Sequence, residues 1–463
     1  MRAVDWIWHA AGLAPQALEH LVLTGAEPVL PSSFAVGTAA QASLAAAALA
    51  AAEIGHQRNG VRQRVQVDMR RAALECLCRF EVDGRTPPMW DPIAGLYACG
   101  PRADAGWVRL HTNFAHHRDG VLRLLGLPTG DATPRPAVAE ALRDWSALDF
   151  EHAAAEAGMV VAALRSLDVW DRQPQADAVA RTPLVAIERI GDAPPLALPA
   201  LPHEAPPLRG VRVLDLTRIL AGPVAGRTLA AYGADVMLVN APHLPNIEAI
   251  ADTSRGKLSA LADLRRPEGR AGLQAVLQGA HVFIQGYRPG AMAGLGFGPD
   301  ALARARPGIV SVALSAYGDH GPWAGRRGFD SLVQTATGFN DAEAHAAGAV
   351  RPKPLPAQLL DMASGFLMAF GAQAALLRQR AEGGSWHVRV SLARTGLWLR
   401  GLGRIDDGFA APAIDVTGLM ETVASGYGAL TAMRHAAEFS HTPARWVRPS
   451  MPPGSHPLAW PPD

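Results

Sequence analysis

The side chain best placed to do chemistry is Asp361, in the run QLLDMASGFLMAFG, where a single carboxylate opens a long apolar helical pattern and three small residues follow it. Two uses are open to such a residue. It can cap the helix, the commonest role of aspartate at that position. Ionised near its ordinary pKa of about 3.9, it can instead attack an electrophile without a general base. A second cluster, His111, His116 and His117 in HTNFAHHR, has ligand-type side chains but not a metal pattern: the adjacent pair points in different directions and no carboxylate cluster stands beside it. Three cysteines, Cys76, Cys78 and Cys99, are too few and wrongly spaced for a disulfide framework or a closed zinc site, and are expected as buried thiols. No metal centre is expected.

The elements that must position Asp361 follow a rhythm. Val211–Leu216 reads as a buried strand, Pro223–Tyr232 as a helix with proline in its first turn, and Ala234–Asn240 as the next strand. Strands at Leu258–Leu264, Ala280–Gln285 and Gly308–Ala316 alternate with helices at Pro267–Leu277 and Asp300–Ala305, the βαβ order of a parallel, Rossmann-like sheet. After the first strand stands TRILAGPVAG rather than G-x-G-x-x-G, which disfavours a nicotinamide or flavin site. Upstream, the Pro-rich stretch APPLALPALPHEAPP (193–207) cannot continue a helix or a central strand and reads as a stiff linker. It divides the chain into 1–192, 208–400 and a C-terminal extension, 401–463.

A weak repeat crosses that linker. A helix over Thr38–Gly55 leads through Gly60 into RVQVDM at Arg64; a helix over Asp361–Arg380 leads through Gly383 into HVRVSL at His387. Gly60 and Gly383, like Arg64 and His387, are 323 positions apart, which sets Thr38 opposite Asp361. Only the later copy has a carboxylate there.

Composition narrows the function classes. With 43 basic and 42 acidic residues the formal charge is +1, so there is no basic field of the kind nucleic-acid binding leaves, and no DNA or RNA partner is expected. The longest apolar run, Ala45–Ala52, is too short to span a bilayer, and the N-terminus lacks the pattern of a secretory signal. A cytoplasmic protein without a membrane association is the expectation.

The segments PLRGVRVLDLTRILAGPVAGRTLAAYGADVMLVN, SRGKLSALADLRRPEG and AHVFIQGYRPGAMAGLGFGPDALARARPGIVSVALSAYGDHGPWAGRRGFDSLVQTATG resemble the CoA-binding part of family III CoA-transferases and of the related 2-methylacyl-CoA racemases, over roughly Leu208 to Leu399. GWVRLHTNFAHHRDGVLRLLGLP and TPLVAIERIGDAPP are more weakly similar to the family's second domain and the strand returning from it. The resemblance implies an α/β fold in which a Rossmann-like CoA-binding domain is joined to a second, smaller α/β domain, with the segment order shifted from the usual one. It implies a CoA-transferase that uses acyl-CoA and a carboxylic acid acceptor, with Asp361 as nucleophile, and an intimate homodimer. It points to Ile219, Leu220, Ala221, Tyr287, Arg288 and Asp330 as CoA-binding residues, with Arg265 and Arg327 near the nucleotide or pantetheine and Lys257 as a weaker candidate. At Gly328-Phe329-Asp330 the racemases carry histidine in the middle; Phe329 cannot transfer a proton, so racemisation is the runner-up, and a non-catalytic CoA-binding protein is a third reading. Asn240-Ala241-Pro242 and Gly286 depart from the family's usual residues.

Overall fold

The computed structural model describes residues 1–101 and 105–461. Its centre is a seven-stranded sheet whose strands, in chain order, are β1 (Ala186–Gly191), β2 (Arg212–Leu216), β3 (Asp235–Asn240), β4 (Lys257–Leu261), β5 (Val282–Gln285), β6 (Val310–Ser315) and β7 (Ser385–Ser391). Their spatial order is β4-β3-β2-β5-β6-β7-β1. The six strands from β2 onward are all parallel, so the chain winds out to β4, returns, and continues from β5 on the other side, the doubly wound Rossmann order. Each is a run of β-branched and apolar residues, as burial on both faces requires. β1, contributed by the residues before the linker, closes the far edge antiparallel to β7, with Ile187 opposite Val388.

Five helices matter for the site: α1 (Val36–Asn59), α2 (Ala221–Ala231), α3 (Asp330–Ala336), α4 (Leu359–Glu382) and α5 (Leu392–Gly401). α1 and α4 are apolar around most of their circumference, so both lie inside the protein. By length and composition α4 could cross a membrane, yet its apolar window is entirely enclosed by the fold. Alanine and glycine recur in both helices and allow close approach. Gly365 of α4 passes α2 so closely that an added Cβ would lie 2.5 Å from the carbonyl oxygen of Ala221. The run Ala363-Ser364-Gly365 thus makes room for a neighbouring helix.

A smaller α/β unit comes from the first part of the chain. Strands Gly95–Ala98, Trp107–Leu110 and Val161–Ala163 form an antiparallel sheet covered by helices Ala115–Leu124 and Ala147–Glu156 around Val108, Leu110, Val121 and Phe150. It joins the large sheet's domain through Arg165, whose backbone N–H donates to Thr335 of α3, and through Glu151, which pairs with Arg326 at 3.4 Å. The 193–207 stretch has no regular element. It is pinned by Arg58, which donates to the carbonyls of Pro199 and Pro207, and by Gln379, which donates to that of Pro194.

Candidate active site

In a doubly wound sheet, neighbouring loops diverge where the strand order reverses, leaving a crevice at the carboxyl ends of the strands. Here the reversal lies between β2 and β5, whose last residues, Leu216 and Gln285, are paired. A cavity of about 320 Å³ opens at that point. One wall is the loop after β2, with Arg218, Ile219, Leu220 and Ala221, and another is the loop after β5, with Tyr287 and Arg288. The 326–329 segment, Asp361 at the head of α4, and Phe114, His116 and His117 of the smaller unit complete it.

Asp361 is the third residue of α4 and is 8 % exposed. Its carboxylate accepts no hydrogen bond among the described residues. The capping role belongs to Asp330, the fully buried first residue of α3, whose Oδ2 accepts from the backbone N–H of Asp361 at 2.8 Å, with the N–H of Leu360 also directed at the same carboxylate. Gln334, one turn on, steadies Asp330 through its side-chain amide. Capping from a different helix leaves the Asp361 carboxylate free to face the cavity.

This arrangement corrects two sequence expectations. Asp330 does not reach the cavity and holds the start of α4 instead. Asp361 does not ionise at the ordinary carboxylate value either: burial raises its pKa, and the neighbouring Asp330 raises it further. Asp330 is itself raised by burial but held back by hydrogen bonds to its charged form, so Asp361 is the member of the pair that keeps a proton more readily.

Ile219, Leu220, Ala221, Tyr287, Arg288 and Arg327 all line the cavity. Ile219 has φ +76°, a left-handed conformation that a β-branched residue adopts only under constraint; it turns the chain sharply from β2 into α2 and places the first-turn N–H groups of α2 beside the cavity. Arg265 is away from it, its exposed guanidinium held 2.8 Å from Asp263. Lys257 is wholly buried, with Nζ 2.7 Å from Asp215 and 2.8 Å from the carbonyl of Pro223, an internal tie between β4, β2 and α2 that no ligand can reach. Arg218, Arg288 and Arg327 have no carboxylate partner among the described residues, so the cavity rim is cationic while its one carboxylate, Asp361, is biased toward the neutral form.

Sequence reasoning missed Phe114, His116 and His117 as cavity residues. His117 lies 3.4 Å from Arg327, and burial with nearby positive charge pushes its pKa down to about 3, so it is a neutral imidazole. His111 is buried behind the wall, stacked on Phe329 with ring centroids 3.9 Å apart. The HTNFAHHR run was visible, but the pattern sought in it was a metal site, whereas these rings build a wall. Cys76 and Cys99 are buried and Cys78 is half-buried; burial pushes all three thiols upward, as inert thiols require.

A sheet parallel but for β1, with a cavity at its switch point, an unbonded carboxylate in the wall and arginines at the rim, places this domain in the Rossmann-like class. Over residues 208–403 the chain matches the family described as CoA-transferase family III. A probable fatty acyl-CoA transferase of Mycobacterium tuberculosis is 35% identical over 204 residues, covering 41% of this chain and 51% of that protein. An acyl-CoA transferase of Gibberella moniliformis is 30% identical over 334 residues, 66% of this chain and 58% of the relative. A succinate–glutarate CoA-transferase of Agrobacterium fabrum is 32% identical over 212 residues, 42% and 52% respectively. A crystal structure of the Mycobacterium tuberculosis protein aligns at 34% identity with a TM-score of 0.39, covering 42% of this chain and 58% of that one. The chain thus spans about half the length of the curated relatives it matches.

Proposed function

We propose that the protein is a CoA-transferase that moves CoA between carboxylic acids through Asp361. The carboxylate attacks the thioester carbonyl of an acyl-CoA, the C–S bond breaks, and CoA thiolate leaves a mixed anhydride on the enzyme. The thiolate then attacks the aspartyl carbonyl, releasing the first acid and leaving CoA on Asp361 as a thioester. The acceptor's carboxylate attacks that thioester to form a second anhydride, and thiolate attack on its acyl carbonyl yields the new acyl-CoA and frees Asp361. No proton need be taken from an acid that arrives ionised. Asp361 must itself begin as the anion, so its raised pKa sets an acid limb to adduct formation.

The observation that carries this reading is the unbonded Asp361 carboxylate in the cavity wall, released from capping by Asp330. CoA carries several phosphate charges, for which Arg218, Arg288 and Arg327 offer partners and the α2 N-terminus a dipole. Racemisation is less well supported: Phe329 occupies the place of one acid–base group, and His117, lowered to about 3, is too weak a base to abstract an α-proton.

The test is intact-protein mass spectrometry after incubation with a panel of acyl-CoAs, followed by hydroxylamine. A CoA or acyl adduct mapped to Asp361 and removed by hydroxylamine is expected. Solvent deuterium entering the α-carbon of a 2-methylacyl-CoA, with no adduct and no acid acceptor, would replace the transferase with an isomerase. CoA binding without adduct or exchange would leave a non-catalytic CoA-binding protein.

A further inference from the structure

The repeat detected in the sequence is also a structural one. α1 and α4 are both 24 residues long and begin and end 323 positions apart. The residue before each has the same backbone, φ −74° and ψ 62° at Ala35 against φ −76° and ψ 62° at Gln358. Each helix is followed by a strand and then a further helix capped in the same way, by Asp68 accepting from Arg71 and by Ser391 accepting from Arg394. Each strand has a parallel neighbour in matching register: Thr24 pairs with Asp68 as Ser315 pairs with Ser391. Even the capping carboxylate recurs, since Glu27 accepts from the N–H of Thr38 at 2.7 Å as Asp330 does from that of Asp361 at 2.8 Å.

The two copies exchange strands. β1, from the first half, pairs antiparallel with β7 of the second; strand Ala437–Phe439, from the second half, pairs antiparallel with Val65–Asp68 of the first. The registers agree, Val388 with Ile187 and Val65 with Phe439. α1 and α4 pack together at the centre. Reciprocal contacts of this kind are what a two-fold interface makes between identical subunits.

What each copy has lost is complementary. The first keeps the small α/β unit but only two parallel strands, Leu21–Thr24 and Val65–Asp68, of the large sheet. The second keeps the six parallel strands, and between α5 and its returning strand holds a single 3-10 turn, Gly408–Ala410, and the short hairpin Met420–Ser425 and Gly428–Met433. At the first copy's head, Thr38 replaces the aspartate, and Val29 and Met69 crowd Gly37 beside it. The cavity at the switch point takes Asp361 from the second copy and Phe114, His116 and His117 from the first.

We infer that this chain is a two-fold dimer folded into one polypeptide, in which a single composite site works within a single chain and no second copy is needed. This replaces the homodimer expected from the family resemblance; its ligand-binding arm rests on the proposed function, whereas its mass arm does not. Light scattering on the eluting protein across a hundredfold concentration range is expected to give one chain's mass, 48.8 kDa. Calorimetric titration with CoA is expected to give one site per chain with affinity independent of protein concentration. Introducing the missing carboxylate by Thr38→Asp is expected to leave that stoichiometry at one. A two-chain mass at the lowest concentration overturns the inference, as do two CoA per chain or affinity that falls on dilution. Failure of CoA to bind at all would sink the functional proposal and leave the mass to decide this one.

Discussion

Replacing Asp330 with asparagine separates the two jobs the structure gives that residue. In the native protein its carboxylate accepts from the N–H of Asp361 at 2.8 Å and from that of Leu360, while Gln334 donates to its other oxygen. Hydrogen bonds to a charged group contribute about 1.5–3 kcal/mol and neutral ones about 0.5–1.5 kcal/mol, so converting the two backbone bonds from ionic to neutral costs roughly 1 kcal/mol each. Gln334 cannot turn its amide to suit the new NH₂ group without breaking the bond its oxygen accepts from Leu355, which adds about another 1 kcal/mol. Burial outweighs the two ionic bonds, since the Asp330 pKa is raised to about 6 in spite of them, so removing the charge returns about 1.4 kcal/mol for each pH unit between the unfolded value of about 3.9 and 6. At neutral pH the variant should therefore lose no more than the Gln334 mismatch, about 1 kcal/mol. At about 2.1 cal/mol/K per residue, a 463-residue chain unfolding as a unit has an entropy near 1 kcal/mol/K, so Tm should fall by no more than about 1 °C. The chemistry should change more than the stability. Asp361 loses the adjacent anion that raises its pKa, and its carboxylate should form at lower pH. Infrared difference spectra against Asp361→Asn would follow the protonated carboxyl band, and the acid limb of adduct formation should shift with it. An acid limb that stays in place or moves to higher pH would refute the assignment of Asp330 as the neighbouring charge.

Asp361→Asn should abolish adduct formation, retain CoA binding, and stabilise the protein near pH 8. A raised folded-state pKa gives stability that is complete below the unfolded value of about 3.9 and is lost as pH rises through the folded value, about 1.4 kcal/mol for each pH unit between them; denaturant titrations should show the variant's advantage closing toward pH 4, and a constant gap would contradict this. Gly365→Ala puts a methyl 2.5 Å from the Ala221 carbonyl oxygen and 2.8 Å from Val224, so a loss of about 1–3 kcal/mol and weaker CoA binding by calorimetry are expected as the Ile219–Ala221 loop is pushed aside. Lys257→Met leaves the fully buried Asp215 charge unpaired and should cost about 3–5 kcal/mol in chemical denaturation, most of it recovered in the double variant with Asp215→Leu; a double variant no more stable than the single would show that the pair is not coupled.

Much of this architecture was written in local patterns. Helix Pro267–Leu277 has the predicted ends, and the parallel strands lie within a few residues of their expected places, because a buried strand advertises itself by a continuous apolar run. The 323-position repeat was legible for a similar reason, since Gly60 and Gly383 end their helices at corresponding points. The role of Asp330 was not legible: it caps a helix 31 residues away, and capping rules read only the residues adjoining a helix start. The shift in Asp361 was hidden likewise, because it depends on burial and on a carboxylate brought near by tertiary packing.

The same limit explains why the site's second wall escaped notice. Phe114, His116 and His117 are separated from Asp361 by more than two hundred positions, and in their own segment they look like an ordinary aromatic and basic patch. Their use appears only when the small unit folds against the large sheet, and what brings it there is the strand exchange that the repeat makes possible. A chain that keeps both halves of that exchange can discard either member of each duplicated part, provided the losses do not fall on the same part. Here the first half gave up the carboxylate and most of the sheet, and the second gave up the small unit, so every piece still needed for the cavity survives once. Such losses are tolerable only while the two halves stay associated. The covalent link through 193–207 ensures that, and so do Arg58 and Gln379, near the ends of α1 and α4, which hold the linker against the repeat it joins.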